Sequence, residues 1–346
     1  MASIQLDGLS FRYPGVAEDT LAPLSMSIDD GAAFALLGAS GAGKTTLLNL
    51  LSGLLAPTSG RIFFDAQDVS ALAGRQRNVA QVFQFPVLYE SMSVAENLAF
   101  PLRARKFESV VIQRRVERIA ADLEITQQLP LRAAQLSLFQ KQLVAIGRAL
   151  VRPDVAVVLL DEPLTAVEPR MKWQLRQTLR RIQEELGVTM VYVTHDQTEA
   201  LTFADQVAVM ADGGLLQIGT PDQIYKTPSH EFVGYFIGSP GMNFVEVEQL
   251  TQPREFLPET RRVGFRPEWA MLCAHQDGQL RGVVRSLQLA GTEHGAAMGV
   301  IRIGIAAGEI AVRGPLNVNV GQSVGVLLKH YLCYSERGRL LAPSHE

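Results

Sequence analysis

The chain has 346 residues, of which 47% are hydrophobic and 19% charged, and its formal net charge at pH 7 is −3. This length is large for one hydrophobic core and sufficient for two domains, and the charge argues against nucleic acid or an acidic membrane surface as the main partner. The two cysteines, Cys273 and Cys333, have neither a pairing pattern nor metal-ligand spacing, which fits a reducing cytoplasm.

The N-terminal residues contain no basic segment followed by an apolar core, so we expect no signal peptide. No stretch approaches the ~18 uninterrupted apolar residues of a membrane-spanning helix. If the protein works at a membrane, we expect it to dock onto a separate membrane protein.

Short apolar runs alternate with helical patterns over the first two thirds of the chain. Residues 33–37 predict a buried strand, which a glycine-rich turn joins to a helix over residues 45–52. Further buried strands are predicted at residues 79–83, 155–160 and 188–194. Between the last two strands, apolar residues recur at helical spacing: Met171, Leu175, Leu179, Ile182 and Leu186. This alternation predicts a mostly parallel sheet with crossover helices.

Between residues 86 and 153 the pattern becomes helical. Ser93-Val-Ala-Glu96 has the form of a capping box that opens a helix. An apolar stripe follows at Val116, Ile119, Ala120 and Leu123. We therefore predict a helical subdomain over about residues 86–153.

The pattern changes again near residue 238. Short alternating runs at residues 281–285, 299–303, 310–313 and 323–328 are separated by Gly, Pro and Asn. Such runs predict a small β-barrel or sandwich. We place a domain boundary there, with an α/β domain in residues 1–238 and an all-β domain in residues 239–346.

Residues 38–45 read GASGAGKT and fit the phosphate-loop pattern G-x-x-x-x-G-K-[ST], between a predicted strand and a predicted helix. The glycines let successive backbone N–H groups wrap phosphate oxygens at a helix N-terminus. Lys44 would bring its charge to the β- and γ-phosphates, and Thr45 would offer its hydroxyl to Mg²⁺. The predicted nucleotide-binding residues of this segment are Gly38, Ala39, Ser40, Gly41, Ala42, Gly43, Lys44, Thr45 and Thr46.

Two carboxylates, Asp161 and Glu162, follow the strand predicted at residues 155–160. In a phosphate-loop protein, Asp161 would hold Mg²⁺ and Glu162 would be the base that polarises the attacking water. No lysine begins the Asn/Thr-Lys-x-Asp motif that recognises guanine, so GTPases are set aside.

Gln84 and His195 close two further predicted strands. The order of phosphate loop, Gln84, helical segment, Asp-Glu strand and His195 resembles the ATP-binding subunits of ABC transporters over the whole chain. The resemblance implies that Gln84 contacts Mg²⁺ and senses a membrane partner. It also implies that His195 contacts the γ-phosphate, and that Tyr13 stacks on adenine.

Residues 82–98 resemble the importer subfamily that serves sugars, polyols and glycerol phosphate. Gly264-Phe-Arg-Pro-Glu268 and the runs after it resemble the OB-like (TOBE) regulatory domain of those proteins. The resemblance implies an α/β P-loop NTPase with a helical subdomain, followed by a small all-β OB-like domain.

The resemblance further implies ATP and Mg²⁺ as cofactors and integral membrane permease subunits as direct partners. A solute-binding protein would be an indirect partner, nucleic acid would not be one, and the chain would lie on the cytoplasmic face of the bacterial inner membrane.

One segment departs from the family pattern. The signature loop of the family, Leu-Ser-Gly-Gly-Gln, is here Leu136-Ser137-Leu138-Phe139-Gln140, and Ser-Ala-Leu-Asp-Pro is here Thr-Ala-Val-Glu-Pro at residues 165–169. In ABC dimers the signature loop of one subunit closes the nucleotide site of the other. Because both glycines are replaced, we expect this chain to work beside a second, non-identical ATPase subunit.

Two other functions stay open. The chain could be an ATP-binding, weakly hydrolytic regulatory or structural subunit that completes a partner's site, although Glu162 and His195 argue against this. It could also be an ABC protein acting on DNA or ribosomes, which the lack of a basic patch or of a tandem ATPase domain disfavours. The sequence leaves the solute open among glycerol, other polyols, sugars and glycerol phosphate.

Overall fold

A computed structural model of the chain describes residues 2–165, 167–251, 256–293 and 296–343. The chain divides into two compact units, Met1–Pro221 and Asp222–Glu346. Within the described ranges, no helix combines the length and the apolar character needed to cross a membrane.

The first unit contains two sheets and seven helices among its described residues. Its strands are β1 (Ile4–Phe11), β2 (Leu21–Ile28), β3 (Ala33–Gly38), β4 (Ser59–Phe64), β5 (Gln67–Asp68), β6 (Val79–Val82), β7 (Val157–Asp161), β8 (Thr189–Thr194), β9 (Gln206–Ala211) and β10 (Gly214–Gly219). Its helices are α1 (Lys44–Ser52), α2 (Gly74–Arg77), α3 (Val94–Ala104), α4 (Ser109–Asp122), α5 (Leu138–Leu150), α6 (Pro169–Leu186) and α7 (Gln197–Phe203).

The central sheet has the strand order β10-β9-β3-β8-β7-β6, in which all neighbouring pairs are parallel except β10 and β9. Every residue of β3, β7 and β8 is buried, as expected for strands covered on both faces. The smaller sheet, β2-β1-β4-β5, is antiparallel. The predicted parallel sheet with crossover helices is confirmed.

Helices α3, α4 and α5 occupy the segment between β6 and β7. The predicted capping box opens α3, because the Ser93 hydroxyl accepts from the Glu96 N–H at 3.1 Å and the Glu96 carboxylate accepts from the Ser93 N–H at 2.8 Å. The predicted apolar stripe of α4 is buried. The assignment of residues 86–153 to a separate subdomain stays a prediction.

The second unit is mainly β-structure. Helix α8 (Pro221–Lys226) begins at the division between the units, and α9 (Glu231–Phe236) follows it. The strands are β11 (Asn243–Glu246), β12 (Arg262–Phe265), β13 (Ala270–Cys273), β14 (Leu280–Glu293), β15 (Ala296–Ile305), β16 (Gly308–Pro315), β17 (Ser323–Leu328), β18 (Leu332–Tyr334) and β19 (Leu340–Pro343). They form two antiparallel sheets, β11-β12-β18-β19 and β13-β17-β14-β15-β16, which confirms the predicted all-β domain.

The buried guanidinium of Arg266 joins the two helices of this unit to its strands. It donates to the carbonyl oxygens of Tyr225 at 2.7 Å, of Gly234 at 2.9 Å and of Ile237, and it lies 4.1 Å from the centre of the Tyr225 ring. These contacts place α8 and α9 with the β-strands, although the sequence suggested a boundary near residue 238. That boundary stays a prediction.

Candidate active site

Four of the predicted functional segments follow neighbouring strands of the central sheet. The phosphate loop (residues 38–45) follows β3, His195 follows β8, Asp161 and Glu162 end or follow β7, and Gln84 lies just beyond β6. Because these four strands are parallel and adjacent, their carboxyl ends meet at one edge of the sheet. The fold therefore brings the predicted site together at this edge.

The phosphate loop has a backbone that requires glycine. Gly41 and Gly43 have φ angles of 84° and 91°, and a Cβ on Gly38 would lie 2.3 Å from the carbonyl oxygen of Met210. Helix α1 begins at Lys44 with no side chain capping its N-terminus. Its first N–H groups are thus available to an anion, as phosphate binding at a helix N-terminus requires.

Lys44 is the cation of this loop, and its side chain turns back onto the loop backbone. Its Nζ donates to the carbonyl oxygens of Gly38 and Ala39, each at 2.8 Å, and the residue is buried. Burial lowers the pKa of the Lys44 ammonium, while the nearby Glu162 and Asp161 carboxylates oppose this shift. A bound phosphate would supply the close negative charge that a buried ammonium needs.

Thr45 and Asp161 provide a pair of oxygen atoms beside the loop. The Thr45 hydroxyl donates to Oδ1 of Asp161 at 3.3 Å. The pKa of the Asp161 carboxyl is raised, chiefly by burial and further by the Glu162 carboxylate. The hydrogen bond from Thr45 and the charge of Lys44 oppose this shift. Mg²⁺ binds carboxylate and hydroxyl oxygens and keeps waters and phosphates as further ligands, so this pair fits it. The Gln84 side chain is half-buried at the same sheet edge.

Both carboxylate oxygens of Glu162 have partners. Oε1 lies 3.1 Å from Nδ1 of His195, and Oε2 accepts from the Thr165 hydroxyl at 3.1 Å. The backbone of Glu162 is left-handed, with φ of 44°, and its N–H donates to the Val193 carbonyl at 2.9 Å. Non-glycine residues in this conformation are uncommon and cluster at functional sites. The geometry thus fixes the direction of the carboxylate.

Tyr13 lies beside the first turn of α1. Its ring packs edge-on against Phe11 with centroids 4.8 Å apart, and its hydroxyl is 3.4 Å from the Thr46 hydroxyl. The ring is partly exposed. A nucleotide base could therefore stack on it beside phosphates held by the loop.

The altered signature segment begins α5 and is locally well ordered. The Ser137 hydroxyl accepts from the Gln140 N–H at 3.2 Å, and the Gln140 side-chain oxygen accepts from the Ser137 N–H at 3.0 Å. Leu138 is 47% exposed and Phe139 is half-buried, and both line a cavity of about 530 Å³ between α5 and α6. Among the described residues, no hydrogen bond joins this segment to the phosphate loop of the same chain.

Two residues at or beside the site, Thr165 and Glu199, carry no sequence motif that assigns them a role. Thr165 was noted only as part of an altered family motif, although its position three residues after Glu162 places it in reach of that carboxylate. Glu199, in the first turn of α7, has a buried carboxylate that accepts from the hydroxyl of Thr194 at 2.9 Å. An acidic residue four positions after His195 is the only signal that could have indicated it.

Known proteins that resemble this chain in sequence or structure are ABC transporter proteins. A sequence model of the family described as ABC transporter matches residues 21–165. The sn-glycerol-3-phosphate import ATP-binding protein UgpC 2 of Rhizobium johnstonii is 42% identical over 268 residues, which cover 77% of each chain. UgpC of Brucella abortus is 37% identical over 334 residues, covering 94% of this chain and 95% of the relative. The solved structure of CbiO1 from Clostridium perfringens, part of the ABC transporter complex CbiONQ, matches with a TM-score of 0.59 at 30% identity, over 64% of this chain and 89% of that one.

Proposed function

Because the chain belongs to the ATP-binding subunits of ABC transporters and is an ATPase, we propose that it powers the import of a small polar solute, with glycerol 3-phosphate as the first candidate. The solute assignment is supported by the UgpC relatives, which are named as import proteins for sn-glycerol 3-phosphate. Sugars, glycerol and other polyols are the alternatives to be tested beside it.

The observation that carries the proposed chemistry is the doubly held carboxylate of Glu162 at the sheet edge that also bears the phosphate loop. Glu162 would orient the attacking water and accept its proton. With Nδ1 of His195 directed at Glu162, the remaining ring nitrogen, Nε2, would face the γ-phosphate. The catalytic residues would thus be Glu162, His195 and Lys44.

The remaining site residues would bind the nucleotide. Lys44 would exchange its loop carbonyl partners for β- and γ-phosphate oxygens, and Tyr13 would stack on adenine. Thr45 and Asp161, with Gln84, would hold Mg²⁺, which when bound neutralises charge on the phosphates. The oxygen pair at 3.3 Å supports this metal assignment.

A membrane permease would dock beside Gln84. Apolar side chains on both sides of Gln84 are exposed, with Phe83 at 42% before it and Phe85 at 66% and Val87 at 65% after it. Exposed apolar patches of this kind mark interaction surfaces. The chain would therefore lie peripherally on the cytoplasmic face of the membrane, bound to permease subunits, and a solute-binding protein would act through them.

The second ATPase of the complex would be a different chain. Glycine lets backbone N–H groups approach a phosphate closely, whereas Leu138 and Phe139 add side chains at the first two positions of α5. Leu138 is exposed, which supports a position on the surface that would face the partner's nucleotide. One site, with this chain's phosphate loop and the partner's intact signature loop, would then hydrolyse ATP quickly, and the other slowly.

The proposed function is tested by reconstituting the chain with its permease subunits and a second ATPase in lipid vesicles. We expect ATP hydrolysis and uptake of labelled glycerol 3-phosphate, both abolished by Glu162→Gln. Uptake of a sugar or polyol instead would replace the solute assignment. A complex that binds ATP but transports none of these solutes would contradict the importer function.

A further inference from the structure

A buried carboxylate lies directly behind the His195 turn. Glu199 is only 2% exposed, and both of its oxygens have partners. Oε1 accepts from the Lys172 ammonium at 3.1 Å, and Oε2 accepts from the hydroxyls of Tyr192 at 3.0 Å and Thr194 at 2.9 Å. A buried charge is stable only with such pairing, so the position of Glu199 is fixed by all three neighbours.

This carboxylate also fixes the residues on either side of His195. Thr194, which donates to Glu199, accepts at the same hydroxyl from the N–H of Asp196 at 3.0 Å. The Asp196 carboxylate in turn accepts from the N–H groups of Thr198 at 2.8 Å and Glu199 at 3.3 Å. The His195 side chain itself is 55% exposed. Apart from its contact with Glu162, the ring is therefore held mainly through the turn that carries it.

Lys172 connects this turn to a second part of the site. It lies in the first turn of α6, which begins at Pro169, immediately after the segment that carries Glu162 and Thr165. The Lys172–Glu199 ion pair thus joins the start of α6 to the start of α7. Arg176, one turn further along α6, is a second buried cation near this cluster. Burial and Glu199 raise the pKa of the Tyr192 hydroxyl, and Arg176 opposes this shift.

We propose that Glu199 and Lys172 are positioning residues for ATP hydrolysis. Together they hold the His195 turn against the start of α6, so that Nδ1 of His195 stays within hydrogen-bond distance of Glu162. Neither residue would touch the nucleotide. The inference rests on the proposed roles of Glu162 and His195, because a positioning residue acts only through the groups that it positions.

The test compares Lys172→Met with Lys172→Arg in the reconstituted complex. Lys172 is varied because its side chain is partly exposed. Since its loss leaves the buried Glu199 carboxylate without a cation, the Tm of each variant is measured beside kcat. A small displacement of a catalytic group costs up to ~10² in rate, so we expect Lys172→Met to lower kcat roughly tenfold. KM and ATP affinity should change by less than about twofold, and Lys172→Arg should recover most of the rate.

Two further variants serve as comparisons. Glu199→Gln keeps the side-chain volume and the acceptor for the two hydroxyls but loses the ion pair, and it should show the same loss of kcat. Arg180 lies further along α6 and forms an ion pair with Asp205. Arg180→Met removes this ion pair and should leave kcat unchanged. Equal losses in Arg180→Met and Lys172→Met would indicate a general effect of α6 stability and overturn the proposal.

A double-mutant cycle with His195→Ala separates positioning from other effects. If Lys172 acts through His195, Lys172→Met should change the residual rate of His195→Ala by less than about twofold. If Lys172→Met lowers kcat by the same factor in the wild-type chain and in His195→Ala, the proposal is overturned. Wild-type kcat in Lys172→Met, with His195→Ala inactive, would overturn this inference and leave the proposed function intact. An active His195→Ala would refute both the role of His195 and the inference.

Discussion

Nδ1 of His195 lies 3.1 Å from Oε1 of Glu162, which joins the ends of two neighbouring parallel strands, β8 and β7. Thr165 holds the other oxygen of the same carboxylate at 3.1 Å. A carboxylate fixed at both oxygens needs little reorganisation before reaction, and such preorganised geometry is a main source of catalytic rate.

Glu162→Gln should separate binding from hydrolysis. The substitution keeps the side-chain size but removes the basic oxygen, and loss of a general base costs about 10²–10⁴ in rate. ATP affinity, measured by equilibrium binding, should stay within about twofold because phosphate contacts come from the loop after β3. Glu117→Gln, at an exposed position of α4, is the matched control and should retain full turnover. Full turnover in Glu162→Gln would remove Glu162 from its assigned role.

Lys44→Ala should act on binding itself. The substitution removes the one cationic side chain of the phosphate loop, where burial already lowers the ammonium pKa and a phosphate would restore it. We expect ATP affinity to fall by about tenfold or more, since a hydrogen bond to a charged group contributes ~1.5–3 kcal/mol. Lys226→Ala, at an exposed position of α8, should bind normally. Unchanged ATP affinity in Lys44→Ala would contradict the phosphate-loop assignment.

Asp161→Asn should stabilise the nucleotide-free protein while it abolishes hydrolysis. Burial raises the pKa of the Asp161 carboxyl in the folded chain. Folding therefore favours the protonated form, and the stability that this group contributes at low pH is lost as the pH rises through the folded pKa. Asparagine does not ionise and still offers an acceptor to Thr45. Thermal unfolding should show a higher Tm for the variant at about pH 7 and a shrinking difference toward about pH 4. A pH-independent difference would contradict this account.

Arg266 should be essential for the stability of the second unit. Arg266→Met removes the guanidinium donor from the carbonyl oxygens of Tyr225, Gly234 and Ile237, of which Gly234 keeps the N–H of Met242 as a partner. Each carbonyl left unsatisfied costs ~1–3 kcal/mol, so we expect the free energy of unfolding to fall by about 2 kcal/mol or more. Urea unfolding measures this, with Arg281→Met at an exposed position as the control. A change below about 1 kcal/mol would show that water replaces these bonds.

The elements that the sequence predicted correctly depend on local pattern. The strands around residues 33–37 and 188–194 are predominantly apolar or β-branched and buried over their whole length, and the phosphate loop and capping box are contiguous motifs. Thr165 contacts Glu162 only three residues away, but a lone threonine at that spacing forms no recognised motif. Glu199 is held by partners on α6 and β8, which no local pattern shows. The packing of α8 and α9 on Arg266 is equally non-local, so the composition change near residue 238 gives no indication of it.

The central claim is that fast hydrolysis takes place at the site built from this chain's Glu162 and His195, beside a different ATPase. The most direct measurement compares ATP turnover in two reconstituted complexes, one with Glu162→Gln in this chain and one with the equivalent change in its partner. We expect the first complex to lose nearly all turnover and the second to keep most of it. Equal losses in the two complexes, or rapid hydrolysis by a homodimer of this chain bound to the permease, would contradict the claim.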